Sequence, residues 1–318
     1  MKLREIYELA IEAGIENDPR GRAGVEKELQ RQQKIYDALK GAEKEAFDRE
    51  LLRNPFGDSR LLVGSGEEEI HGLLAGVDME TPEVVLADRL REKGKNIQMV
   101  FAHHPEGVGL VGLGNIMEMQ SQVFALTEDV PVHIAEGVMA PRVAQVRRNL
   151  MASNFQRAVD AARLLEMPMA CIHTPCDNHV HQFLTRAFAE GQPQTVGDVL
   201  DILLTIPEYR MAAANMDGPA LLLGKKDNSC GRIHLEMTGG TGTAKEIYAE
   251  LSARGVGTVV SMHMRDEARL EAEKHHLNVV IAGHMASDSV GINLLLDKLE
   301  ARGVAIMPCS GLLRYSRN

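Results

Sequence analysis

The chain has 318 residues, of which 44% are hydrophobic, and its formal net charge at neutral pH is −10. This length favours two α/β units, because one hydrophobic core seldom serves more than about 250–300 residues. The negative charge and the lack of mixed basic and aromatic runs argue against nucleic acid as a partner. No apolar run approaches the roughly 18 residues that a membrane-spanning helix needs.

The first residues, MKLREIYELAIEAGIEND, contain neither the apolar run of a signal peptide nor the composition of a transit peptide. The four cysteines include no C-x-x-C pair, so they indicate neither a disulfide framework nor a thiolate zinc site. We therefore expect a soluble cytoplasmic protein.

Residues 1–53 have a helical pattern, in which Leu3, Ile6 and Leu9 fall on one face. Such a stripe is typical of a packing surface. We expect a helical arm that covers its apolar side on a neighbouring domain or a partner subunit, and that has no catalytic role. Residues 54–58 (NPFGD) have turn chemistry and mark the end of this extension.

Strands and helices alternate through the rest of the chain. Strands are predicted at 71–78, 96–101, 132–134 and 169–172, and in a second series at 220–223, 232–237, 256–261, 277–282 and 304–307. Helices are predicted from 81 to about 93 and around 116–126, 140–165, 244–254, 265–274 and 289–302. This alternation predicts an α/β fold with mainly parallel sheets. The expected division is a helical extension at 1–55 and α/β domains at 56–205 and 206–318.

Three predicted strands run into short segments that carry histidine and aspartate: AHHP at 102–105, HTPCD at 173–177 and GHMASD at 283–288. In open α/β sheets, ligands bind beyond the carboxyl ends of the strands. A strand that ends at a proline can turn both His103 and His104 into one crevice. Imidazole and carboxylate together suit zinc, iron or manganese.

The second and third segments each place an aspartate four positions after a histidine, so each pair can converge on one ion. A carboxylate can also bridge two ions through its two oxygens. The sequence therefore predicts a centre of two divalent ions, about 3.5–4 Å apart. The expected protein ligands are His103, His104, Asp177, His284 and Asp288.

The other histidines near these segments have less specific roles. His263 also follows a predicted strand and is either an outer group that shuttles protons or a histidine at a helix start. His179 and His181 fall in the helix after the second segment, where solvated or outer-shell roles are favoured. His275 and His276 precede a strand and are expected to be structural.

Residues 238–243 (TGGTGT) link a predicted strand to a predicted helix, where backbone amides can bind an anion. The segment lacks the P-loop pattern although Lys245 is near, and a tight turn is the favoured interpretation. Arg142, Arg147 and Arg148 lie in a helical segment and are interpreted as a solvated face rather than a phosphate clamp.

The three motifs resemble those of the GTP cyclohydrolase I type 2-like family, also called the NIF-three-like family. That family shows His-His-Pro, then His-Thr-Asn-Leu-Asp, then Gly-His with a carboxylate four positions after the histidine. On this pattern the family's ligands correspond to the five residues already selected. The departures are Asp288, where the family usually has Glu, the Pro-Cys pair at 175–176, His263, where relatives often have an acidic residue, and the helical segment 1–53.

The resemblance implies two α/β/α domains with the metals in the cleft between them, and a ring-shaped homohexamer. It also implies a metal-dependent hydrolase of cyclohydrolase type, in which a histidine such as His263 or His173 moves protons. A nucleotide or a related cyclic amide is the expected substrate, and phosphoesters fit the same site. The alternative is a non-catalytic protein that binds or delivers metal, or a ring that binds partners. The sequence does not identify the catalytic residues.

Overall fold

The computed structural model describes residues 1–318 and contains fourteen α-helices, a 3-10 helix at Arg49–Leu52 and nine strands. The strands are β1 (Arg60–Val63), β2 (Gly72–Gly76), β3 (Met99–Ala102), β4 (Met169–Cys171), β5 (Ala220–Leu223), β6 (Arg232–Glu236), β7 (Val256–Ser261), β8 (Asn278–Ile281) and β9 (Ala305–Pro308). The helices are α1 (Leu3–Glu16), α2 (Gly21–Ala38), α3 (Gly41–Glu45), α4 (Thr81–Glu92), α5 (Val108–Ile116), α6 (Met119–Thr127), α7 (Val132–Leu150), α8 (Arg157–Leu164), α9 (Thr174–Gly191), α10 (Val196–Thr205), α11 (Pro207–Ala214), α12 (Ile247–Ala253), α13 (Asp266–Lys274) and α14 (His284–Glu300).

The strands form two sheets of similar construction. The first has the order β1-β4-β3-β2-β9 and the second the order β5-β8-β7-β6. In each sheet one edge strand, β1 or β5, runs antiparallel and the remaining strands are parallel. The predicted α/β fold with mainly parallel sheets is therefore confirmed.

Helices cover both faces of each sheet, as the apolar character of the central strands requires. In the first sheet, α4 and α8 cover one face while α1 and α14 cover the other. In the second sheet, α7, α12 and α13 cover one face while α9, α10, α11 and α14 cover the other. None of the helices is both long and apolar enough to cross a membrane.

Helix α1 packs into the first core, so the chain's own first domain covers its apolar side. Leu3 and Ile6 are fully buried in the cluster that also contains residues of β2, β3 and α14. Gly14 lets α1 lie against the start of α9, because a Cβ at this position would be only 2.6 Å from the Cβ of Pro175. The Asn178 side chain donates a hydrogen bond to the Gly14 carbonyl at 3.1 Å. By contrast, α2 buries only Val25 and α3 buries no residue.

The predicted strand at 132–134 is wrong, because these residues form the first turn of α7. Pro131 precedes the helix, and its carbonyl accepts hydrogen bonds from the amides of Ile134 and Ala135. The helix then buries apolar side chains three or four positions apart against the second sheet. A three-residue apolar run has no period of its own, and the longer helical pattern around it decides the structure.

Strand β9 belongs to the first sheet although it follows the strands of the second sheet along the chain. It pairs with β2 in parallel, with Leu73 opposite Ile306, and so belongs to the first sheet. The preceding helix α14 packs between the two sheets and carries the chain back. Strand β1, which the sequence did not predict, forms the opposite edge of the same sheet as a short antiparallel strand.

Helices α9 and α14 lie side by side, and each begins at the end of a strand. Gly291 allows this packing, since a Cβ at that position would be 2.2 Å from the carbonyl oxygen of Cys176. The close approach of the two backbones brings the first turn of α9 next to the first turns of α14. Asp177 on α9 and Asp288 on α14 consequently face each other.

Candidate metal centre

His103 and His104 follow β3 directly, and their backbone amides extend its pairing with β2 through hydrogen bonds to Gly76 and Val77. The His103 ring is fully buried, and its Nδ1 lies 3.1 Å from the Ile172 carbonyl oxygen. Nδ1 of His104 lies 2.6 Å from a carboxylate oxygen of Asp78. Both rings are therefore held in place through their Nδ1 atoms. The Nε2 atoms of both rings point away from these partners.

The second motif surrounds the start of α9. His173 is the residue before the helix, and Asp177 lies in its first turn. Nδ1 of His173 is 2.8 Å from Oδ2 of Asp58, and the Thr174 hydroxyl donates to the same oxygen at 2.6 Å. Asp58 is fully buried, and these contacts together with Ser59 hold its pKa below the usual range although burial alone would raise it. Nε2 of His173 is 3.8 Å from Oδ2 of Asp177.

The third motif begins α14. His284 and Asp288 are one helical turn apart, with His284 Nε2 at 3.4 Å from Asp288 Oδ2. Asp288 is buried and His284 is partly exposed, so the pair runs from the interior to the edge of the cleft.

These side chains converge on Asp288. Its Oδ1 lies 3.5 Å from Nε2 of His103, and its Oδ2 lies 3.5 Å from Nε2 of His104. Oδ1 of Asp177 is also 3.5 Å from Nε2 of His103. Two groups of three potential ligands result, His103 with Asp177 and Asp288, and His104 with His284 and Asp288, and the ligand atoms within each group lie within 4.8 Å of one another.

The contacts at the centre fit metal ligation better than hydrogen bonding. Four buried polar atoms have no hydrogen-bond partner: His103 Nε2, Asp177 Oδ1 and both carboxylate oxygens of Asp288. Two ligand atoms bound to one tetrahedral ion at about 2.0–2.2 Å are about 3.3–3.6 Å apart. The observed separations of 3.4–3.5 Å match this spacing and exceed a normal hydrogen bond. These buried clusters could therefore hold a metal ion.

The electrostatics of the centre favour a positive charge. Burial raises the pKa of Asp177 well above its usual range, and the neighbouring Asp288 carboxylate adds to this effect. Burial would also raise the pKa of Asp288, but His103 and His104 outweigh it and hold that pKa below its usual range. Burial likewise opposes protonation of His104, yet Asp288 and Asp78 raise its pKa to about 10. A cation at this centre would offset the negative charge of the two buried carboxylates.

A small cavity of about 50 Å³ opens beside these residues. Its wall includes His284, Asp288 and His263, together with Thr238, Gly240, Thr241 and Gly242 of the glycine-rich loop. The His263 ring is in edge contact with the His284 ring, with centroids 4.9 Å apart. Burial lowers the pKa of His284 to about 4 in spite of Asp288, so its imidazole is neutral at physiological pH.

The structure brings all five predicted ligands together. It also places near them His173, which was expected only to pair with Asp177 or to move protons, and two aspartates that were not expected at the site, Asp78 and Asp58. His173 joins His103 and His104 in a third group of potential ligands. Asp78 could have been found, because it follows β2 as the other motifs follow their strands. Asp58 lies in a turn and contacts a histidine 115 positions away, for which the sequence contains no signal.

Two of the remaining histidines correct the prediction of a solvated role. His179 and His181 lie on the buried side of α9, and burial lowers the pKa of each to about 4. His275 and His276 lie between α13 and β8, at the other end of the strand, where Nε2 of His275 contacts Glu271 at 3.0 Å.

No family model matches the sequence, and no curated protein matches it. Several solved structures, however, match this chain. A NIF3 superfamily protein from Sphaerobacter thermophilus is 24% identical, with a TM-score of 0.73 over 97% of this chain and 98% of that chain. Reduced HcgD from Methanocaldococcus jannaschii is 13% identical, with a TM-score of 0.48 over 79% of this chain and 87% of that chain.

A third solved structure, TTHA1606 from Thermus thermophilus, is 15% identical, with a TM-score of 0.47 over 83% of this chain and 92% of that chain. The match to the Sphaerobacter protein spans nearly the whole of both chains. This chain therefore has a fold similar to that of the Sphaerobacter NIF3 superfamily protein, as the resemblance of the three sequence motifs predicts.

Proposed function

We propose that the protein is a metal-dependent hydrolase with a binuclear centre. The observation that carries this proposal is the convergence of four buried, unpartnered ligand atoms on His103, Asp177 and Asp288. Leaving such atoms unpaired costs free energy in the folded state. A protein that keeps them together gains that energy back when a cation binds.

The arrangement supports two ions rather than one. Oδ1 of Asp288 faces the group with His103 and Asp177, while its Oδ2 faces the group with His104 and His284. Asp288 would therefore bridge the two positions. Zinc, iron and manganese each suit this mixture of imidazole and carboxylate.

The histidine partners orient the proposed ligands. Asp78 and the Ile172 carbonyl each contact the Nδ1 atom of one histidine of the first motif, which leaves both Nε2 atoms free to bind. Asp58 orients His173 in the same way. A pair of divalent ions supplies Lewis acidity that lowers the pKa of water and polarises a substrate oxygen.

His263 is the residue best situated to move a proton during hydrolysis. It is exposed, lines the cavity and touches His284, but it belongs to neither group of proposed ligands. His173, by contrast, is fixed between two buried aspartates. The proposed substrate class, a nucleotide or a related cyclic amide, derives from the family resemblance, and phosphoesters fit the same chemistry.

A metal-binding or metal-delivery protein without catalysis is the second candidate. The size of the cavity favours it, since about 50 Å³ holds only small groups, whereas ligand pockets commonly measure about 300–1,000 Å³. The two candidates differ in whether a bound substrate is converted.

A turnover screen separates these candidates. The protein is loaded with zinc, iron or manganese and tested with GTP, other nucleotides, cyclic amides and phosphoesters. Turnover that disappears in Asp177→Ala but persists in Asp201→Ala, an exposed aspartate on α10, supports the hydrolase. Metal transfer to an acceptor chelator without any turnover supports the carrier and contradicts the hydrolase.

The domain division, the assembly and the location also remain proposals. We propose a helical segment at 1–55, a first α/β domain at 56–205 and a second α/β domain at 206–318, whose strand β9 returns to the first sheet, with the metal centre in the cleft between the domains. A homohexamer follows from the family resemblance, and its test is light scattering. The four unpaired cysteines support a reducing, cytoplasmic location.

A further inference from the structure

A positively charged groove lies beside the glycine-rich loop. It has a volume of about 680 Å³ and runs between α7 and the loops that follow β6 and β7. Its charged lining residues are Arg142, Arg148, Lys245, Arg265, Glu246 and Glu267. The four basic and two acidic side chains give the groove an excess of positive charge in a protein whose net charge is −10.

The guanidinium groups of Arg142 and Arg265 lie near each other in this groove, and only one of them is paired with a carboxylate. Nε of Arg142 donates to the Gly242 carbonyl at 3.1 Å, and Nη2 of Arg265 donates to the adjacent Thr243 carbonyl at 2.8 Å. Arg265 also pairs with Glu267 at 2.7 Å, whereas Arg142 pairs with no carboxylate. Burial lowers the pKa of Arg142, and the nearby charge of Arg265 lowers it further. Two like charges at such a position are stabilised by an anion between or beside them.

The groove and the metal cavity meet at Gly242. A Cβ atom on Gly242 would lie 3.9 Å from Nε of Arg265 and 3.9 Å from Cε1 of His263. His263 lines the cavity and Arg265 lines the groove. One ligand could thus have an anionic group in the groove and a reacting group near His284, which touches His263.

We propose that this groove binds the phosphate group of a small phosphorylated substrate, which revises the sequence-based interpretation of Arg142 and Arg148 as a solvated face. Arginine forms paired, charge-assisted hydrogen bonds with phosphate oxygens, and the volume of the groove is that of a site for a small organic ligand. The assignment to a substrate rests on the proposed hydrolase function. Binding of the phosphate group does not require the metals.

The test is isothermal titration calorimetry of the full-length protein, as purified, with inorganic pyrophosphate. We expect saturable binding at one site per chain. Arg142→Gln and Arg148→Gln should each raise the Kd about tenfold or more, because each removes a charge-assisted hydrogen bond. Arg163→Gln removes an exposed arginine on α8 and should leave the Kd unchanged. Arg148 is exposed, so its substitution tests the groove even if Arg142→Gln does not fold.

The same titration with Asp288→Asn separates this proposal from the proposed metal centre. Pyrophosphate binding should persist in that variant and remain sensitive to Arg148→Gln. Binding that disappears with Asp288→Asn would place the pyrophosphate on the metals and contradict the proposal that the groove is the phosphate site. Equal affinities for wild type, Arg142→Gln and Arg148→Gln, or no saturable binding, would also overturn it. Displacement of pyrophosphate by a tightly bound single-stranded oligonucleotide would contradict the small-molecule assignment.

Discussion

Replacement of Asp288 by asparagine is the sharpest test of the metal centre, because this residue alone belongs to both of its proposed ion positions. Each position has three protein side chains, and Asp288 contributes one oxygen to each. Asparagine keeps the size of the side chain but provides a neutral oxygen and an amide group. We therefore expect the affinity of both positions to fall together.

The expected loss of metal affinity can be estimated from the loss of one charged ligand at each position. Loss of an outer hydrogen-bond partner already costs about 10–100-fold in metal affinity, so loss of a charged ligand should cost more than about 100-fold. That factor corresponds to about 3 kcal/mol at each position. His284→Ala and Asp177→Ala each remove one ligand from only one position, and each should retain the other ion.

The assay is elemental analysis of proteins purified without chelator, with circular dichroism as a check of the fold. Wild type should hold about two ions per chain, His284→Ala and Asp177→Ala about one, and Asp288→Asn almost none. Asp201→Asn, on an exposed face of α10, should behave as wild type. Two ions retained by folded Asp288→Asn would refute the bridging arrangement, and so would loss of both ions from His284→Ala.

Four further predictions concern stability and assembly. Gly291→Ala should destabilise the protein by about 1–3 kcal/mol and reduce metal content, since the new Cβ would overlap α9. Gly137→Ala, in open space on α7, should instead stabilise it by about 0.4–1 kcal/mol in urea unfolding. Burial lowers the pKa of His181 from 6.5 to about 4, so below about pH 6.5 the unfolded chain binds a proton that the folded chain excludes. Stability should then fall by about 3 kcal/mol as the pH drops to 4, and a slope unchanged in His181→Leu would contradict this. Deletion of residues 1–53 exposes core surface and should cause aggregation or altered light scattering, whereas unchanged assembly with lost metal would assign the segment to the site.

Several features of this protein follow from local sequence. Strands that end in AHHP, HTPCD and GHMASD place histidine and aspartate at one edge of a parallel sheet, because all parallel strands present their carboxyl ends on the same side. The alternation of strands and helices likewise determines the fold class. These patterns need no knowledge of which strands are neighbours, so they can be read from the chain alone.

Only the tertiary structure determines how these segments meet. The contact of Asp58 with His173, and of α14 with α9 at Gly291, joins residues more than a hundred positions apart. The pairing of β9 with β2 depends on competition between two available sheets, and the burial of α1 depends on the surface that α9 and α14 leave open. Such choices are set by long-range packing, which a local pattern of apolar residues does not specify.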